Sequence, residues 1–156
     1  MNPKILRLLA ELQADRKTFV TRMDELSRLA LQGDPSLATC AQAAVALHHG
    51  YGAVESALSR VARFIDGSVP DGPDWHQALL ESMALSLEGL RPAILSPGSL
   101  ELLRRLLGFR HFFRHAYAAE WDSTQLEALQ RKVAMLRSSL EQDFDRLETL
   151  LRESAR

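Results

Sequence analysis

The sequence predicts an all-α fold, an up-and-down bundle of about five helices, and three observations carry that expectation. Apolar residues recur at spacings of three and four along most of the chain, which keeps them on one stripe of a helix. No stretch shows the period of two that a half-buried strand needs. The breaks between periodic segments are short and rich in Gly, Pro and Asp. With 156 residues, 46% hydrophobic and 25% charged, the chain suits a single helical domain over 1–156 with its own core.

The first helix is expected over 3–31, where Ile5, Leu8, Leu12, Phe19, Met23 and Leu26 share a stripe. The second is expected over 35–66, on Leu47, Tyr51, Val54, Leu58, Val61 and Ile65. Its start reads from "GDPS", with Asp34 as N-cap and Pro35 at the first helical position, where a missing N–H costs nothing. "DGSVPDGP", residues 66–73, is a loop. A shorter helix over 74–89 follows, with Asp74 as its cap and Trp75 as a packing anchor. Pro92 and Pro97 in "RPAILSPGS" break the helix and allow a restart near Ser99, giving a fourth helix over 99–119. The fifth, over 123–154, carries Leu126, Leu129, Val133, Leu136, Leu140, Phe144, Leu147 and Leu150, and Asp122 with Gln125 forms a capping box at its start. Met23, Met83 and Met135 read as core, and the pair His48 and His49 as helix surface.

Composition narrows the function classes. The formal charge is −1, so attraction to a polyanion has to come from a local patch. A single cysteine, Cys40, supports neither an internal disulfide nor a zinc cage, and no metal-ligand cluster or cofactor motif is expected. No run of about 18 apolar residues is present, and charges interrupt every turn of the first segment. A soluble cytoplasmic protein without membrane contact is the expectation.

One segment departs from this plain pattern. "FRHFFRHAYAAEWD", residues 109–122, sets Arg110-His111 and Arg114-His115 one turn apart among phenylalanines. At about 100° per residue, Leu102, Leu103, Leu106, Leu107, Phe109, Phe113 and Tyr117 fall on one broad face that also contains Arg110. Arg114 lies at the edge of that face, and His111 and His115 line the adjoining flank. Taking a guanidinium out of water without a partner is expensive, so Arg110 marks a paired charge, a subunit interface or an anion site. Arg104, Arg105, Arg110, Arg114, His111 and His115 make a positive sector opposed on the same helix only by Glu101 and Glu120. Arginine grips phosphate through fixed paired donors, and like charges favour a neutral histidine that can act as a base near neutrality. Together these are the groups that phosphodiester cleavage requires.

Arg110, His115 and Tyr117 match an R-x4-H-x-Y pattern, and with it the sequence resembles the HepT-like ribonuclease toxins, a branch of the HEPN superfamily. The segment from Tyr51 to Met83 resembles the second helix, loop and Trp-His-bearing third helix of that family, and "RPAILS" its connector. The resemblance implies a helical bundle that dimerises with the motifs of two protomers facing one cleft. It implies a metal-independent endoribonuclease without cofactor, with RNA as substrate and Arg110 and His115 as catalytic residues. It also implies a cognate nucleotidyltransferase antitoxin that adenylylates Tyr117. His111 and Arg114 are accessory candidates, and His111 is a departure, because many members carry a small polar residue after the motif arginine. The alternative that the resemblance offers is a non-catalytic substrate-binding or partner subunit of a nucleotidyltransferase.

Overall fold

The computed structural model describes residues 2–115 and 121–155, with the side chains of Phe112, Arg114 and His115 outside the described set. Its element order is α1 (Pro3–Ser27), α2 (Leu37–Val61), a π turn (Ala62–Asp66), α3 (Trp75–Met83), α4 (Pro97–His115) and α5 (Ser123–Ser154). The all-α expectation holds, and among the described residues the only extended pairing is an isolated bridge between Leu87 and Arg91. No helix among the described residues is long and apolar enough to cross a membrane.

The apolar stripes build one core. Leu12 and Phe19 of α1, Leu47, Val54 and Leu58 of α2, Leu79 and Met83 of α3, Leu103 and Leu106 of α4, and Leu136 and Leu140 of α5 are all buried. The longest packing interface joins α1 to α2, and there the tip of the Met23 side chain rests in the space that the missing side chain of Gly50 leaves. Met135 corrects the core expectation: it lies 68% exposed, off the α5 stripe. At the end of α5 the stripe passes to buried Leu151, with Leu150 at its edge.

Helix ends show where local signals suffice. Asp122 caps α5, its carboxylate accepting from the backbone N–H groups of Thr124 at 2.9 Å and Gln125 at 3.3 Å. The start of α2 differs from expectation: Ser36, not Asp34, is the N-cap, and its Oγ accepts from Thr39 N at 3.1 Å. Pro35 thus precedes the cap, and Leu37 is the first helical residue. α2 gives way at Ala62 to the π turn, which ends at Gly67 with φ of 86°, a value that glycine adopts without strain.

α3 stops at Met83, six residues before the expected end. The Met83 carbonyl accepts from Ile94 N at 2.8 Å and Leu95 N at 2.9 Å, so the returning chain takes the acceptor that a continuing helix would use. Arg91 fastens this return. Its guanidinium is buried and donates to Asp66 Oδ1 at 2.6 Å, Asp66 Oδ2 at 2.8 Å, Ser82 O at 3.1 Å, Leu85 O at 2.9 Å and Pro92 O at 3.3 Å. Five N–H groups meet five acceptors, which leaves none of the Arg91 donors unpaired. The chain re-enters helix at Pro97, two residues earlier than expected, beside a second polar knot in which buried Asp143 accepts from Ser96 N and Ser96 Oγ, both at 3.1 Å.

Candidate functional site

Three helices converge where α3 crosses between α2 and α4. Tyr51 and Glu55 stand one turn apart on α2, within the stripe that also carries Leu58, so both point inward. His76 is the second residue of α3, brought to them by the loop that Asp66 and Arg91 close. Arg110 approaches from α4.

The hydrogen bonds form a chain across these helices. Arg110 Nη1 lies 3.3 Å from His76 Nε2, and His76 Nδ1 lies 2.6 Å from Glu55 Oε2. A guanidinium can only donate, so Nε2 must accept and the imidazole proton sits on Nδ1, where it is donated to the carboxylate. The Arg110 guanidinium also stands over the Tyr51 ring, 5.9 Å from Cζ to centroid, within cation–π range. The Tyr51 hydroxyl is buried and lacks a partner of good hydrogen-bond geometry among the described residues, while the Glu55 carboxylate is near enough to act on it. Burial first and the Glu55 charge second push its pKa far above the usual tyrosine value; Arg110 opposes this only in part.

The sequence left three answers for Arg110 open. Within one chain the answer is a charge reached through an intermediary, the histidine between arginine and carboxylate. Among the described residues that is its only hydrogen bond, so most of its donors have no partner within that set. The other described residues of the apolar arc pack internally. Leu103, Leu106 and Phe109 are buried, and Phe113 stacks on His48 at 4.5 Å and on Trp121 at 5.6 Å between ring centroids. His48 is therefore part of an aromatic cluster and not a surface residue; His49 is exposed.

Beside His76 opens a cleft of about 440 Å³ between Pro73, Asp74, His76 and Gln77 on one side and Arg104, Leu107, Gly108 and His111 on the other. His111 is exposed on its rim, as its place on the α4 flank implies. The positive sector is more balanced than the sequence suggests: Glu81 of α3 takes Arg104 at 3.2 Å, and Glu101 takes Arg105 at 3.3 Å. A larger hollow of about 530 Å³ near Glu25, Arg28 and Val45 shares no residue with this chemistry. His115 closes the described span of α4, five residues beyond Arg110. The side chains of Arg114 and His115 lie outside the described residues, as does Tyr117.

Sequence reasoning singled out Arg110 and His111 and missed Glu55 and His76. A signal for Glu55 existed, since it falls in an apolar stripe without a local partner, the mirror image of Arg110. Trp75, read as a packing anchor, is partly buried against the core and lies 3.7 Å from the His76 ring between centroids.

A family model described as "HepT-like protein" matches residues 42–151, more than two thirds of the chain. The match runs from the first turns of α2 to near the end of α5 and so contains Tyr51, Glu55, His76 and Arg110. No curated protein and no solved structure matches the chain.

Proposed function

Because the chain belongs to the HepT-like proteins, we propose that it is a metal-independent endoribonuclease and the toxin of a HepT–MNT pair, MNT being a minimal nucleotidyltransferase antitoxin. The observation that carries the reading is Arg110: a partly desolvated guanidinium, steadied from behind by a histidine–carboxylate pair, with one hydrogen bond among the described residues, five residues from His115 on one helix. Such a group suits a phosphorane, whose equatorial oxygens gain charge as the reaction proceeds.

In this reading the ribose 2′-hydroxyl attacks the adjacent phosphorus and the 5′-oxygen of the next nucleotide departs, leaving a cyclic phosphate. His115 moves the proton, and Arg110 stabilises the phosphorane. Arg114 adds positive charge and His111 stands as accessory at the cleft rim. Two protomers face each other about a two-fold axis with the motifs lining one cleft, which light scattering at micromolar concentration checks; a monomer counts against it. Tyr117 is where the antitoxin attaches AMP, and mass analysis after co-expression should find that addition on this residue.

The deciding experiment compares the purified protein with His115→Ala on RNA, with and without a chelator. Expected is cleavage by the parent, unaffected by chelation, and a loss on the order of 10²–10⁴ in rate for the variant. If neither protein cuts RNA and both are harmless on expression, the nuclease reading fails, and a binding partner for a nucleotidyltransferase replaces it.

A further inference from the structure

We propose that Glu55 and His76 are a positioning pair for Arg110, the carboxylate fixing the imidazole tautomer and the imidazole fixing the guanidinium. The proposal rests on the reading of Arg110 as a phosphate-stabilising group, but its structural half stands without that reading.

Three observations converge. The Glu55 carboxylate is buried on α2 and takes His76 Nδ1 at 2.6 Å, which leaves the Nε2 lone pair facing outward. That lone pair meets Arg110 Nη1 at 3.3 Å. The Tyr51 ring lies under the guanidinium face, so the arginine is held at one edge and along one face. A long arginine side chain pays rotamer entropy whenever it is fixed at an anion; here part of that cost is met before any ligand arrives. Reversal of the His76 tautomer would set an Nε2–H against an arginine N–H, two donors with no acceptor, and the guanidinium would be driven off. The direction of the Glu55–His76 bond thus decides where Arg110 sits.

Neither residue needs to touch the reacting atoms. His76 acts through Arg110, and Glu55 acts through His76, in the way that a carboxylate behind a metal-bound histidine sets which ring nitrogen is free.

The test uses isotopically labelled full-length protein and nitrogen shifts of the histidine rings near neutral pH, with His76 identified by its loss in His76→Gln. Expected for the parent is a His76 ring protonated on Nδ1. Glu55→Gln keeps a carbonyl acceptor and should retain that tautomer, whereas Glu55→Leu should move the proton to Nε2 and release the Arg110 guanidinium into free rotation. A parent ring protonated on Nε2, or a Glu55→Leu ring that keeps its proton on Nδ1, overturns the proposal; the parent spectrum alone is decisive if Glu55→Leu does not fold. On RNA, Glu55→Leu should lower kcat by about tenfold or more, with Glu55→Gln restoring most of it. Both limbs of the pH–rate profile should survive in His76→Gln; a lost limb makes His76 a proton carrier and ends its assignment as a positioning residue. The expected tautomers in a protein that cuts no RNA would leave the pair standing and remove the nuclease reading.

Discussion

Arg91 and Arg110 both leave water, and they do so on opposite terms. Arg91 is almost wholly buried, and all five of its N–H groups are taken by Asp66 and three backbone carbonyls. Arg110 is partly buried, has one neutral hydrogen-bond partner among the described residues, and sees a carboxylate only through His76. Complete satisfaction makes an arginine a structural fastener, because no donor is left with which to meet a ligand. Partial satisfaction costs stability and keeps donors available, the trade expected of a binding group.

The largest test of this contrast is on activity. On the proposed nuclease reading, Arg110→Ala should lower RNA cleavage on the order of 10²–10⁴, comparable to the loss expected for His115→Ala, and Arg110→Lys should not restore it, since an ammonium lacks the paired planar donors. Unchanged cleavage by Arg110→Ala would reduce the residue to a packing element. The next test is on stability. Arg91→Ala empties a buried guanidinium site and strands the part-buried Asp66 carboxylate and three carbonyls, and should cost about 3–5 kcal/mol in chemical denaturation, whereas Arg110→Ala should fall within about 1 kcal/mol of the parent. Equal losses at the two positions would erase the distinction.

Smaller effects sharpen the picture around Arg110. His111→Ala separates two roles: a large loss in cleavage makes it a second acid–base group, and the change of less than about tenfold expected of a cleft-rim residue makes it a spectator. Tyr51→Phe should leave neutral stability nearly unchanged and reduce the sensitivity to alkali. The folded state holds the Tyr51 proton more tightly than the unfolded chain does, so its contribution is complete below the ordinary tyrosine value of 10.0 and declines as pH rises above it. Urea titrations on both sides of that value should show a shallower decline in the variant.

How much of this was legible in the sequence differs between bundle and site. The helices announce themselves because their stripes repeat at the helical period, and Asp122 announces the start of α5 because its cap bonds are local. The early end of α3 is not announced. Nothing within residues 84–89 stops the helix; the Met83 carbonyl is claimed by Ile94 and Leu95, which the chain must first fold back to deliver. Arg110 was conspicuous as a cation in an apolar face, but its partners lie 34 and 55 residues away and no spacing rule connects them. Glu55 carried the same kind of signal with opposite sign, and pairing the two anomalies would have suggested the contact.

The clasp between Asp66 and Arg91 has a consequence for the motions of the molecule. It ties together two points 25 residues apart, so the intervening excursion, with α3 and His76 upon it, is a closed ring hung on the bundle. Leu79 and Met83 in the core and His76 on Glu55 hold its first half, and the clasp serves the rest: once Asp66 and Arg91 separate, the Leu87–Arg91 bridge and the two bonds to Met83 lose their nearest support. Backbone amides from Ser82 to Leu95 should then exchange with solvent at one shared rate, slower than the loop around Gly72 and faster than the middle of α2. The return of the chain behind α3, and with it part of the support under His76, thus rests on a salt link on the far side of the loop.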